Sequence, residues 1–395
     1  MMRRLDCLRV FKGLVKMKIL KLFSAFLLTF SLLSAAESAN GNVAVGKKLR
    51  VALYVDNGSR GSGVLNWTEI LAFAPQVEFS TLMGEDVRKG RLNEIDLLVM
   101  PGGASWWQCP SLGEAGMQSV REFIRKGGAY AGTCAGMSSV MDEKERLALV
   151  PYKSQKELRG GTGTVSVEIL PEGAKLLGIK AGVRSFRYAG GPIAIPSDKT
   201  GDERTAQVLA TFKSIVTRNG RNEGGFNHPA MILGKYGKGK VIVTSFHPES
   251  WEATHDVVAG AIYAVTGIKI TPEFPKKNPR PLRVGFYTGT MIGHAAINAA
   301  VKLIQHPDMD VRYIMMQDII EGELNHLDCV VIPESVDFLY KKYMAMELYR
   351  KAFRKFMDKG GIILTDQSCG NYIEPHRNLK NFSNETDLIK RLCSK

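Results

Sequence analysis

The sequence predicts an α/β chain: a doubly wound, mostly parallel sheet with helices on both faces, followed by a second, smaller α/β domain that is a degenerate repeat of the first. Three observations predict it. Short apolar runs rich in β-branched residues, KLRVALYV at 48–55 and IDLLVM at 95–100, alternate with stretches of helical spacing, the pattern of strand–helix–strand units around a parallel sheet. Each run stops on a turn signal, Asp56-Asn57-Gly58 after the first and Pro101-Gly102-Gly103 after the second. The same succession then returns. RVGFYTG from Arg283 repeats RVALYVDNG from Arg50, DCVVIPES from Asp328 repeats DLLVMPGG from Asp96, and FRKFMDKGGIILTDQSCGN from Phe353 repeats VREFIRKGGAYAGTCAGM from Val120, all at an offset of 232 or 233 residues.

Taken in order, the chain opens with Lys18 and Lys21, the apolar run Leu22–Leu33 and the small residues Ser34, Ala35 and Ala36, the order of a secretory signal peptide. A dozen apolar residues fall short of the roughly 20 that a spanning helix needs. Residues 1–36 are therefore expected to be removed on export to a periplasm or to the medium, with Met1 or Met17 as the start and an uncleaved anchor as the alternative. Residues 37–48 read as a linker and 49–270 as the first domain. Within it a helix is expected around Trp67–Ala74, a short strand near Val77–Ser80, and a helix over Ser119–Lys126 ended by Gly127-Gly128. AYAGTCAGMSSVM is a strand entering a Gly-rich turn and leaving as a helix. Between 160 and 245 the runs VSVEIL, FRYAGGPIAI, VLATF and AMILGKYGKGKVIVTSF are strand-like, and the YGKGK step is a hairpin signal, so an antiparallel extension is expected. The Pro-rich, charged segment 271–281 reads as an interdomain linker, and 282–395 as the repeat.

The composition, 45% hydrophobic and 23% charged over 395 residues, is that of a globular chain of two or three domains. The formal charge of +14 falls to about +8 once the leader is gone. What remains is dispersed, without the basic stripe and interleaved aromatics of a nucleic-acid site. Six cysteines become five without Cys7, which leaves at least one unpaired within a chain. No CxxC or Cys/His spacing suggests zinc; no metal and no cofactor is expected.

The chemistry sits at Gly132-Thr133-Cys134-Ala135-Gly136, a G-x-C-x-G sequence between a strand and a helix, the context of a nucleophile elbow. Cys134 there meets a helix N-terminus, whose free N–H groups favour a thiolate. About 110 residues on, VIVTSFHPES ends a strand in His247-Pro248-Glu249. On an extended segment residues two apart share a side, so Glu249 can orient His247 while His247 takes the thiol proton.

Together PGG, GTCAGM and SFHPES resemble the class I glutamine amidotransferase-like superfamily, a flavodoxin-like three-layer fold. They are most similar to the branch of the biotin–protein ligase N-terminal domain, with its PGG, GG-x-Y-x-G-x-C-A-G and Y-x-G-G-P segments, here Pro101–Gly103, Gly127–Gly136 and Tyr188–Pro192. The resemblance covers roughly residues 49–267. It implies Cys134 as nucleophile, His247 as base, Glu249 as third member, and the N–H groups of Gly103 and Ala135 as an oxyanion hole. Gly102, Trp106, Trp107, Tyr188, Gly190 and Gly191 are the expected substrate-binding positions. Of the other aromatics beside these loops, Tyr130 reads as core, and Phe226 and Trp251 as either core or cleft. Cys109 could face Cys134 as a redox partner or lie buried as a spectator; His228, His255 and His294 read as structural or surface residues.

The sequence carries no synthetase or ligase domain, and with a signal peptide a true glutamine amidotransferase is not expected. The repeat offers Gln367, Ser368 or Cys369 near the elbow position and no His-Pro-Glu counterpart, so it is expected to be catalytically inactive. Two functions stay open: an exported Cys-His-Glu hydrolase acting on an amide or related acyl bond through a thioacyl intermediate, and a non-catalytic module binding a small molecule or carbohydrate. The expected partner is a small-molecule, peptide or carbohydrate substrate, with homo-oligomer formation open.

Overall fold

The computed structural model describes residues 47–59, 61–155, 160–198, 204–216, 222–224, 226–288, 294–333, 346–366 and 379–393. The leader segment and Gln367, Ser368 and Cys369 lie outside the described residues.

The buried apolar runs become the centre of a nine-stranded sheet. Strands β1 (Leu49–Tyr54), β2 (Val77–Leu82), β3 (Leu97–Met100) and β4 (Ala129–Thr133) pair in parallel in the order β2-β1-β3-β4. β1, β3 and β4 are apolar along nearly their whole length because helices cover both faces. Tyr152–Ser154 (β5) and Ala194–Pro196 (β8) pair antiparallel and stand apart as a two-stranded ribbon. The extension consists of β6 (Thr162–Ile169), β7 (Gly182–Ala189), β9 (Arg204–Phe212), β12 (Pro229–Tyr236) and β13 (Gly239–Thr244), while β10 (Ser214–Val216) and β11 (Asn222–Gly224) form a second ribbon. β13 joins β4 in parallel, and the sheet then runs on antiparallel as β12-β9-β6-β7. The antiparallel strands thus form one continuous wing, and the YGKGK step is its β12–β13 hairpin.

Helices cover the faces: α1 (Gly61–Ala72), α2 (Ser105–Arg125), the short elbow helix α3 (Ala135–Ser139) and α4 (His255–Thr266). α1 begins six residues earlier and α2 fourteen residues earlier than the sequence suggests. Pro110 and Gly113 hide the first half of α2 from a periodicity argument. They mark a kink, with Gly113 at φ 68°, which helical dihedrals continue past on both sides. Trp106, Trp107 and Cys109 consequently sit on a helix rather than in a loop.

The second sheet is β15-β14-β16-β17-β18, all parallel: β14 (Leu282–Tyr287), β15 (Met309–Ile314), β16 (Cys329–Ile332), β17 (Ile362–Asp366) and β18 (Leu379–Phe382). Its order reproduces β2-β1-β3-β4-β13 position for position. The repeat extends to side-chain fasteners. Arg50 grips Asp96 at 2.6 Å between β1 and the start of β3, and Arg283 grips Asp328 at 2.6 Å in the same place. Helices α5 (His294–Gln305) and α6 (Glu347–Asp358) flank this sheet. α5 packs on α1, so Ile297, Ala300 and Leu303 belong to the same apolar cluster as Leu65, Ile70 and Leu71. The segment 271–281 is coil held to the first domain by the Glu273 N–H on the Phe73 carbonyl at 2.8 Å and by a tilted ring contact of Phe274 with Phe73. No described helix is long and apolar enough to cross a membrane.

Candidate active site

Parallel strands present their carboxyl ends on one edge of the sheet, and the loops leaving them build the site. β4 and β13 are neighbours, with Thr133 opposite Thr244. The residue after β4 is Cys134, and its N–H donates to the Thr244 carbonyl at 2.8 Å. Three residues beyond Thr244 comes His247. Strand pairing alone therefore delivers thiol and imidazole, far apart in sequence, to one point.

Cys134 adopts φ 51° and ψ −103°, a conformation that costs a non-glycine residue about 1–3 kcal/mol. It is the elbow: the chain turns sharply from β4 into α3. The flanking glycines are needed for packing as much as for access. A methyl on Gly136 would stand 2.2 Å from the Met100 carbonyl oxygen of β3, and one on Gly132 would stand 2.8 Å from the Gly136 backbone.

His247 is not followed by extended chain. Pro248–Ser250 form a 3₁₀ turn, and it is this turn that brings Glu249 Oε1 to 2.8 Å from His247 Nδ1. The expected contact is present, by a different backbone path. Glu249 is buried. Its Oε1 also accepts the Thr133 hydroxyl at 3.1 Å, and the Trp67 indole N–H donates to that hydroxyl at 3.2 Å. Thr133 and Trp67 thus anchor the carboxylate, a role sequence reasoning missed although Thr133 adjoins the nucleophile. Glu249 Oε2 is buried without a hydrogen-bond partner, which leaves the carboxylate dependent on the imidazole for its charge balance.

Burial is the largest influence on Cys134 and acts to raise its pKa. The neighbouring imidazolium of His247, helped by the Gly103 N–H, outweighs it, so the thiol lies below its ordinary value. Burial likewise acts to lower His247, but Glu249 and Cys134 push it up to about 10. Both directions favour a thiolate–imidazolium pair at neutral pH. With Nδ1 held by Glu249, Nε2 is buried and has no partner in ordinary hydrogen-bond geometry, which leaves its proton available for transfer.

These groups open into a cavity of about 530 Å³ lined by Cys134, Ala135, Gly102, Gly103, Gly190, Gly191, Trp106 and His247 among others. Gly103 offers its N–H to the nucleophile, and Ala135 opens α3, where backbone N–H groups have no intrahelical acceptor. Gly102 leaves the imidazole its room, since a methyl there would lie 2.7 Å from His247 Cε1 and displace the ring. Tyr188 is elsewhere: it is core, fully buried, with its hydroxyl on the Gly191 carbonyl at 2.7 Å and its ring edge-on to Phe212. It supports the Gly190-Gly191 wall from behind because alternate residues of β7 face the core. Trp107 is 45% exposed and lies off the cavity wall, since one helical step turns it away from its neighbour Trp106, itself 61% exposed on the rim.

Cys109 does not pair with Cys134. It is a free, buried thiol whose Sγ lies 3.9 Å from the Ser139 carbonyl, and burial raises its pKa. Tyr130 is core, with its hydroxyl on the Gly136 carbonyl. Phe226 packs against the core, and Trp251 is partly exposed. His255 reaches the Glu249 carbonyl at 3.3 Å, and His294 of α5 bonds the Thr81 hydroxyl of β2. Among the described residues no group of three or more His, Cys, Asp or Glu is placed to hold a metal ion.

Comparison with known proteins places this edge of the sheet. Residues 76–139 match the sequence model of the family described as biotin-protein ligase, N terminal. The match runs from β2 through the elbow and includes Gly102, Gly103, Cys134 and Ala135, stopping short of His247 and Glu249. The biotin–protein ligase of Schizosaccharomyces pombe is 28% identical over 170 residues, 39% of this chain and 25% of the ligase; the chain thus spans about a quarter of that relative's length. Among solved structures, PurLQS from Thermotoga maritima aligns over 54% of this chain and 98% of its own at 16% identity and TM-score 0.41. A glutamine amidotransferase from Thermotoga maritima aligns over 54% and 82% at 18% identity and TM-score 0.36. Residues 76–139, which carry β2, β3, β4 and the elbow, are thus similar to the N-terminal segment of biotin–protein ligases.

Proposed function

We propose that this chain is a cysteine-dependent hydrolase that cleaves an amide or related acyl bond through a thioacyl intermediate on Cys134. The observation that carries the reading is geometric: Cys134 and His247 line one cavity, with His247 Nδ1 held by Glu249 at 2.8 Å, and the directions in which both groups are shifted favour a thiolate beside an imidazolium. In the first half-reaction the thiolate attacks the acyl carbon, and the tetrahedral oxyanion is met by the N–H groups of Gly103 and Ala135. Such a donor is typically worth about 10² to 10³ in rate. His247 Nε2 gives its proton to the leaving amine as the C–N bond breaks. A water then attacks the thioester, His247 takes its proton, and the acid leaves with the thiolate restored. We further propose that the working protein is exported, with residues 1–36 removed.

The test is competition between thiols. Cys393 is exposed and Cys134 buried, so a small neutral electrophile such as iodoacetamide would favour Cys393 on access alone. The expected outcome is faster labelling at Cys134, read by peptide mass spectrometry, and its loss in His247→Ala. Labelling of Cys134 no faster than Cys393 would leave the elbow as a binding scaffold without a nucleophile.

A further inference from the structure

Two arginines share the cavity with Cys134 and His247: Arg187 on β7 and Arg146 in the segment after α3. Arg187 is tied to the nucleophile machinery by its backbone, whose carbonyl accepts the His247 N–H at 2.9 Å. Its guanidinium, half-buried on the cavity wall, makes no hydrogen bond or ion pair among the described residues, although Arg184, three residues earlier on the same strand, is locked to Asp256 at 2.8 Å. Arg146 reaches the carbonyls of Ser105 at 3.4 Å and Glu145 at 3.2 Å and lies beside the Cys109 thiol, and it has no carboxylate partner among the described residues. The acidic residue among the described lining residues, Glu143, accepts the Ser154 N–H at 2.7 Å through Oε1.

Two guanidinium groups without a carboxylate partner on the wall of one cavity give it a local positive potential that an anionic ligand would balance. The planar fork of arginine matches a carboxylate in bidentate geometry. We infer that Arg187, with Arg146 on the wall of the same cavity, forms an anion-binding subsite that receives a carboxylate on the substrate, so the molecules processed at Cys134 are acyl compounds bearing a free carboxylate group. This inference rests on the hydrolase reading for the word substrate, while the subsite itself stands on the two arginines.

The experiment uses charged and neutral forms of one reagent. Iodoacetate and iodoacetamide alkylate the same thiolate and differ in carrying a carboxylate or a neutral amide. The ratio of their rates at Cys134, normalised to the same ratio at exposed Cys393, is expected to exceed one by about tenfold or more and to fall about tenfold in Arg187→Gln, with Arg187→Lys between them because it keeps charge and loses the fork. His247 acts on the ratio in all three proteins, so the comparison isolates the arginine. A ratio that Arg187→Gln leaves unchanged overturns the inference even if Cys134 proves hyper-reactive. If neither reagent labels Cys134, the hydrolase reading fails by itself and the subsite is read by binding. Glutarate should then raise the melting temperature of Cys134→Ala and not that of Cys134→Ala/Arg187→Gln; no shift in the former overturns the inference. Inorganic phosphate in place of glutarate distinguishes the anion, and stronger stabilisation by phosphate overturns the carboxylate assignment.

Discussion

At the scale of residues, the site is a single chain of contacts from Trp67 through Thr133 and Glu249 to His247 and Cys134. Its electrostatics fix the pH behaviour. Cys134 is lowered in the folded chain, so alkylation should persist below the pH range of an ordinary thiol and fail only as the thiolate is protonated on the acid side. In His247→Ala the largest influences that lower it are removed, while burial and Glu249 remain against the Gly103 N–H alone, so the midpoint should move up. One pKa unit is a factor of ten in thiolate population, and the rate of iodoacetamide labelling at pH 7 should drop by at least that. Stability carries the opposite sign for the two partners. His247 is raised to about 10, above an unfolded value of about 6.5, so its contribution is whole below the unfolded value and is lost as pH rises through the folded one. Cys134, being lowered, contributes above its unfolded value and loses that contribution as pH falls through the folded one. A pH series of denaturant midpoints for wild type and His247→Ala should show the alkaline loss in wild type alone.

At the scale of elements, the sequence disclosed what local chemistry controls. β1, β3, β4 and the elbow could be read because apolar runs and Gly-rich turns are local signals. α2 could not be read in full, because Pro110 and Gly113 break its period while the helix continues past them. Glu249 was expected beside His247 on an extended backbone, whereas it is the tight turn at Pro248–Ser250 that folds its carboxylate back onto the imidazole. Arg187 gave no local signal at all. It reaches the cavity because β7 closes the antiparallel wing against the residue before Pro248, a pairing between segments about 60 residues apart. Two glycines separate fold from site in the same way. Gly136→Ala drives a methyl onto the Met100 backbone at 2.2 Å, where neither side can yield, and should lower stability by about 3 kcal/mol, visible as a lower melting temperature. Gly102→Ala meets the movable ring of His247 instead, at 2.7 Å. It should leave the melting temperature within a few degrees of wild type while cutting Cys134 labelling by about tenfold or more.

At the scale of the whole molecule, the second sheet repeats the first down to the Arg283–Asp328 clasp, yet it is not a free-standing appendage. α5 lies on α1, and Ile297, Ala300 and Leu303 join Leu65, Ile70 and Leu71 in one continuous apolar cluster. His294 bonds Thr81 across the same junction. Met315, just beyond β15, stands on the wall of the cavity that holds Cys134. A large apolar side chain contributes about 1.5–3 kcal/mol on burial, so exposing the α1–α5 face would forfeit several such contributions from each half. The two sheets should therefore melt together. Calorimetry of the chain from residue 47 onward is expected to give one cooperative transition, and a chain ending at residue 270 should melt at least several degrees lower, with Leu65 and Ile70 newly exposed. Two resolved transitions in the longer chain, with the shorter chain matching one of them, would mean that the shared cluster carries no coupling. Ile297→Asp distinguishes loss of the junction from loss of the repeat: a charge forced into the α1–α5 contact should lower the melting temperature of the long chain toward that of the short one, even though it alters no residue of the first domain.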